Sequence, residues 1–242
     1  MPAEYGLIGF PLGHSFSPEY FAKKFAALHI DARYKAFPLE HIEAFPSLIN
    51  AHAFKGLNVT IPYKETIIPY LDELDDVAQK VGAINTIKFT EGRLKGYNTD
   101  VIGFETSIAP LLQPHHRHAL ILGTGGASKA VGYVLKKLGI SYSKVSRTKR
   151  DNVLTYDELG DATIAVNTLI INCSPVGKSP DVDHAPEIPH TSIGSHHLLY
   201  DLIYNPAETK FLRLGKQQGA TVKNGYEMLQ LQADAAWEIW NS

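Results

Sequence analysis

Short apolar runs alternate with amphipathic stretches along most of the chain. Residues 5–8, 33–37, 57–61, 81–89, 119–122, 140–146, 168–173 and 198–203 have strand character, and 220–223 is short and extended. Helical stretches are expected from Ser17 to about Leu28, over 39–51 with an interruption at Pro46, and over 72–80. Others are expected from Ile102 to about Leu112, over 208–217 and over 226–240. Ser17 followed by Pro18 reads as N-cap and first helical residue. Pro62 is expected to end one strand and start a helix. Thr90-Glu91-Gly92-Arg93 reads as a hairpin turn. The last helix carries Met228, Leu231, Ala235 and Ile239 on one apolar side.

One of these alternations is sharper than the rest. The buried run 119–122 stops at Gly123-Thr124-Gly125-Gly126-Ala127-Ser128, and an amphipathic run then continues to Leu138, closed by Gly139. Strand, glycine turn and helix together aim free backbone N–H groups at a phosphate, and the glycines let the backbone approach a pyrophosphate closely. Ser128 stands where the dinucleotide fingerprint usually has a third glycine or alanine, so the match is imperfect.

Composition narrows the class. With 242 residues, 44% hydrophobic and 20% charged, the chain can bury one large core or two modest ones. A net charge of −2 gives no general field for nucleic acid or an anionic membrane. No apolar stretch is long enough to span a bilayer, and no basic segment followed by an apolar one opens the chain. Cys173 is the only cysteine, which excludes an intrachain disulfide and points to a reducing cytoplasm.

The candidate chemistry lies mainly at strand ends. Ser15 and Ser17 can serve as caps or converge on a small carboxylate. Asn58, Thr60 and Lys64 gather where a strand leaves the sheet, which is where open α/β sheets bind ligands. Lys64 by itself reads as solvated, and Asp100 by itself as a helix cap; a functional reading needs the two to meet. Three histidines in 114–118 (PHHRH) read as a solvated connection, with no metal. After the strand 140–146 the chain reads Ser146-Arg147-Thr148-Lys149-Arg150. An NAD site usually has an acidic residue there, whereas these cations suit a 2′-phosphate and point to NADP. Cys173 has no activating neighbour in the sequence and reads as core packing.

Taken together, HSFSP (14–18), NVTIPYK (58–64), GAINT (82–86), NTDVIGF (98–104), GTGGAS (123–128), NCSPVG (172–177), YNPAET (204–209) and GYEMLQLQ (225–232) resemble shikimate dehydrogenases over almost the whole length. The resemblance implies a two-domain α/β protein. Residues 1–104 plus 225–242 form an open mixed-sheet catalytic domain, and 105–224 a Rossmann-like NADP-binding domain. It implies Lys64 and Asp100 as the catalytic pair, and Ser15, Ser17, Asn58, Thr60, Asn85, Tyr204 and Gln232 as the substrate shell. The cofactor residues it implies are Gly123, Thr124, Gly125, Gly126, Ala127 and Ser128, then Ser146, Arg147, Thr148, Lys149 and Arg150, then Cys173, Pro175, Val176 and Gly225. Two features depart from the family: the helix expected after 146–150 is cut down, and Ser146 stands where many members have Asn.

The implied reaction is reversible hydride transfer between NADPH and 3-dehydroshikimate in a cytoplasmic monomer or homodimer, on the route to chorismate and the aromatic amino acids. A quinate/shikimate dehydrogenase using NAD or both cofactors shares nearly all these residues. A ligand-binding regulatory module on the same scaffold would not need Lys64 and Asp100, and no DNA-binding segment is appended.

Overall fold

Strand β1 (Ala3–Gly9) shows how the first half is built. Tyr5 and Leu7 point into one apolar cluster and Ile8 into another, the period-two alternation of a strand covered on both faces. The computed structural model describes residues 2–13 and 15–242, so His14 of the HSFSP motif lies outside the described residues. The chain divides into two compact units, Met1–Thr99 with Ala233–Ser242, and Asp100–Gln232.

In the first unit, β1 sits between β2 (Ala32–Pro38) and β3 (Phe54–Val59), all parallel. The strands β4 (Glu73–Leu74), β5 (Thr86–Thr90) and β6 (Arg93–Tyr97) complete a mixed sheet of order β2-β1-β3-β5-β6-β4, with β5 antiparallel to β3 and β6. The β5–β6 hairpin turns on Glu91 and Gly92, both at positive φ, the two-residue turn whose twist matches the strands. The helices α1 (Phe16–Ala27), α2 (Phe45–Ala51) and α3 (Asp76–Val81) join these strands.

The local structure departs from the expected elements at several points. Helix α1 begins at Phe16, so Ser17 is inside it; Ser15 holds the N-cap position and makes no side-chain cap bond. Pro18 is tolerated at the third helical position because the first N–H groups of a helix lack intrahelical partners anyway. Pro62 starts no α-helix. Residues 61–67 form successive turns, because Ile84 N–H takes the Lys64 carbonyl at 2.6 Å and Ile68 N–H turns to Glu65 O instead. In 72–80 the Asp72 carboxylate accepts from Leu94 N–H at 2.7 Å, Glu73–Leu74 pairs with β6, and α3 starts only after Asp75, whose side chain caps it.

In the second unit the order is β12-β11-β10-β7-β8-β9, parallel throughout: β7 (His118–Leu122), β8 (Ser141–Ser146), β9 (Val153–Thr155), β10 (Leu169–Asn172), β11 (Leu198–Asp201) and β12 (Thr221–Asn224). The continuous apolar runs follow from this, since β10 and β11 are buried at every position. Helices α4 (Asp100–Ile108), α5 (Gly126–Lys137), α6 (Asp161–Val166) and α7 (Lys210–Gln217) belong to this unit. Six residues join β8 to β9 with no helix between them, the shortening that the sequence implied.

The last helix, α8 (Tyr226–Asn241), buries Met228, Gln232, Ala233, Ala236, Trp237 and Trp240, not Leu231, Ala235 and Ile239. The two tryptophans decide its rotation: Trp237 and Trp240 pack on Tyr5 and Phe25 or Phe21, and Trp240 Nε1–H bonds Ile87 O. The 114–118 connection is not simply solvated either. His116 is buried, and its Nδ1 accepts from Gln113 N–H at 2.9 Å. Among the described residues no group of three or more His, Cys, Asp or Glu is placed to hold a metal ion, and no helix is long and apolar enough to cross a membrane.

Candidate active site

At the end of β3 a buried polar chain replaces the apolar core. Tyr34, stacked on Phe21, donates its hydroxyl to Asn58 Oδ1 at 2.8 Å. Asn58 Nδ2 donates to Asn85 O and to Thr86 Oγ1, both at 3.2 Å. The side chain of Asn85 in turn accepts Thr99 N–H at 2.7 Å and donates to Thr99 Oγ1 at 2.9 Å. The direction of this chain is fixed at one end: a backbone carbonyl only accepts, so the Asn58 amide nitrogen faces Asn85 O and its oxygen faces Tyr34. Burial pushes the Tyr34 hydroxyl up, with hydrogen bonding to Ser17 opposing it, so it stays protonated as a donor. The sequence does not mark Tyr34 or Thr86 as members of this chain. Each sits within a strand or beside an Asn, where nothing in spacing separates a network member from ordinary strand polarity.

Around this chain the unit holds the other expected substrate residues. Ser15 stands at the mouth of α1, half-buried, with its hydroxyl not used as a cap; Ser17, the second residue of the helix, is buried. The capping reading of the two serines is therefore removed. Thr60 and Lys64 are half-buried on the segment that follows β3.

Asp100 and Gln232 belong to the second unit. Asp100 is the first residue of α4, and is buried. Gln232 Nε2 donates to Leu229 O at 2.9 Å. Tyr204 lies half-buried just beyond β11.

The glycine turn lies between β7 and α5 at the point where the strand order reverses, with β10 on one side and β8 on the other. Gly123 has φ +118°, and a Cβ there would lie 3.1 Å from the Cys173 carbonyl, so the turn needs glycine for both reasons. Its N–H bonds Val145 O, and Cys173 N–H bonds Leu122 O. A side chain added at Gly125 would meet nothing within 4 Å, so space is open over the start of α5. Ser128 is fully buried and donates to Gly125 O at 2.7 Å, bracing the turn from inside. These residues fit a dinucleotide pyrophosphate. Beyond β8, Ser146 Oγ accepts from Thr148 N–H, and Lys149 is paired with Glu158 at 2.6 Å, which holds the Glu158 carboxyl down at about 2. Among the described residues neither Arg147 nor Arg150 makes an ion pair, and both are exposed.

Residues 7–87 match the family model of the shikimate dehydrogenase substrate binding domain. A shikimate dehydrogenase (NADP(+)) of Carboxydothermus hydrogenoformans is 40% identical over 97% of this chain and 90% of its own. This chain belongs to the shikimate dehydrogenase family. The crystal structure of shikimate dehydrogenase from Aquifex aeolicus superposes with a TM-score of 0.89 at 36% identity, covering 99% of this chain and 92% of that one. The Thermus thermophilus shikimate 5-dehydrogenase, solved in complex with NADP(H) and shikimate, gives 0.88 at 31% identity over 98% and 93%. The two-sheet α/β architecture is the one found in these shikimate dehydrogenases.

One buried acid in this family member was not expected. Asp201, at the end of β11, is fully buried; burial pushes its carboxyl up to about 6 against hydrogen bonds from Thr209, Ile203 and Asn172. An aspartate inside the apolar run LLYDLI was the available signal. With a native value above the ordinary 3.8, the folded protein holds more protons than the unfolded one between about pH 4 and 6, so stability falls as pH rises through that window. Relative to wild type, Asp201→Asn gains roughly 2 kcal/mol between pH 4 and pH 7. Urea unfolding of both proteins at the two pH values measures it, and a constant gap refutes the shift.

Proposed function

We propose that this protein reversibly reduces 3-dehydroshikimate to shikimate with NADPH, with Lys64 and Asp100 as its catalytic pair. Family membership over nearly the full chain carries the reaction; the pair rests on the NVTIPYK and NTDVIGF motifs. NADPH, when bound, supplies the hydride to the ring ketone. Lys64 donates the proton that the ketone oxygen then needs, and its cation stabilises the developing alkoxide. Asp100 orients the ammonium and accepts from a substrate hydroxyl.

Ser15 and Ser17 donate to the substrate carboxylate at the start of α1, where the helix dipole also favours an anion. Thr60, Asn85, Tyr204 and Gln232 bond the remaining hydroxyls. Asn58 contributes as an acceptor at most, because both its amide protons are held by Asn85 and Thr86. The glycine turn with Thr124, Gly126 and Ala127 takes the pyrophosphate, Arg147 and Arg150 the 2′-phosphate, and Cys173, Pro175, Val176 and Gly225 the nicotinamide end. Lys149 is the weakest of the three cations for this role, being engaged by Glu158. Cytoplasmic placement, supported by the lone cysteine, and a monomer or homodimer are part of the same reading.

Purified protein with shikimate and NADP, followed by NADPH absorbance, tests the reaction; no reduction of NADP refutes it. Higher kcat/KM on quinate with NAD moves the chain to the quinate-using branch. Ser15→Ala and Ser17→Ala are each expected to weaken substrate binding by about 1.5–3 kcal/mol while NADP binding holds. Equal loss of both ligands removes the carboxylate assignment.

A further inference from the structure

One loop of proposed cofactor residues, the segment after β11 and the start of α7 meet at one buried side chain, Asp201. Asn172, at the end of β10, donates Nδ2 to Asp201 Oδ1 at 3.0 Å and to Val176 O at 3.4 Å. Its Oδ1 accepts both the N–H and the hydroxyl of Ser174, at 3.0 and 2.7 Å. Ile203 N–H also donates to Asp201 Oδ1, at 3.0 Å, while Ile203 O accepts from Gly225 N–H at 3.1 Å. Gly225 passes close against this segment, since a Cβ there would lie 2.2 Å from Leu202 O. The other carboxylate oxygen takes the Thr209 hydroxyl at 2.6 Å, at the N-cap of α7. Asp201 is thus the common acceptor for the 172–176 loop, the segment after β11 and the start of α7.

We propose that Asp201 is a positioning residue for cofactor binding: its carboxylate locks the 172–176 loop and the Ile203–Gly225 contact into one arrangement, so that Cys173, Pro175, Val176 and Gly225 form a single surface for the nicotinamide end. This rests on the assignment of those four residues to the cofactor. Asp201 is fully buried and acts through the groups it holds. Its three donors are uncharged, so no ion pair explains a buried carboxylate here; three simultaneous donors do. An amide at this position keeps one oxygen for Asn172 and Ile203, with its nitrogen facing a Thr209 hydroxyl that can turn to accept. A methyl group keeps none of these bonds.

The experiment compares wild type, Asp201→Ala, Asp201→Asn and Asn172→Ala in shikimate and NADP titrations, with equilibrium NADP binding. Asp201→Ala is expected to raise KM for NADP about tenfold or more and lower kcat, with KM for shikimate within about twofold. Asp201→Asn is expected to restore NADP binding nearly to wild type. Asn172→Ala, which cuts the loop from the carboxylate, shows the same NADP-selective loss and carries the test if Asp201→Ala does not fold. Parallel loss for both substrates, or no loss in a folded Asp201→Ala or Asn172→Ala protein, overturns the proposal. Amide hydrogen exchange of wild type with and without NADP separates the premise. If residues 173–177 and 225 gain no protection, the cofactor assignment has failed; if they do and the variants bind NADP normally, the positioning role has failed.

Discussion

Replacing Lys64 by alanine is expected to lower kcat by about 10²- to 10⁴-fold while KM for shikimate changes little. The proton donor acts on charge that appears only as hydride arrives, so its loss falls on the transition state and not on ground-state binding. Lys64 sits in the turns after β3, and its carbonyl is held by Ile84 N–H, so the backbone is anchored independently of the side chain. On the proposed pairing, Asp100→Asn is expected to be severe as well, because an amide would not attract the ammonium. Steady-state kinetics in both directions, with melting temperatures as a control for folding, measure the effect. Near-normal turnover in Lys64→Ala removes the lysine from the proton-donor role.

Arg147→Ala is expected to weaken NADP by roughly 1.5–3 kcal/mol, about ten- to a hundredfold, and to leave NAD kinetics nearly unchanged. A 2′-phosphate adds charge away from the pyrophosphate and needs cations of its own. The three candidates after β8 differ in what already holds them. Lys149 is tied to Glu158, whereas the planar guanidinium of Arg147 directly follows the strand end with, among the described residues, no ion pair to break. The same geometry gives Arg150 a secondary share. The measurement is kcat/KM for both cofactors in wild type and variant. Equal loss for NAD and NADP, or a wild type that prefers NAD, defeats the assignment.

The second unit was the more legible half. Its central strands β7, β10 and β11 are apolar and buried at nearly every position because both faces of a parallel sheet are covered there, and burial of that kind writes itself into composition. The glycine turn was equally plain, since Gly123 answers to a positive φ and a close approach that hardly any other residue meets. In the first unit the errors concentrate where a chain segment has a choice of hydrogen-bond partner. Ser17 and Pro18 form a good helix start in isolation, yet the helix begins one residue earlier than Ser17. Pro62 invites a helix that the Ile84–Lys64 bond prevents.

What the sequence determined by itself was therefore what neighbours along the chain decide: most of the strand runs, the glycine turn, the hairpin at Glu91-Gly92, and the motif set that marks the family. The run 81–89 is not among them, since Val81 ends α3 and β5 starts only at Thr86. The tertiary structure alone decided the rotation of α8, set by two tryptophans meeting Tyr5, Phe21 and Phe25 from distant parts of the chain. It alone decided that Asn58 points its amide inward to Asn85 and Thr86, and that Asp201 gathers Asn172, Ile203 and Thr209. The physical reason is common to all three. A side chain's polarity is local information, but the partner that satisfies it is chosen by which strands lie side by side.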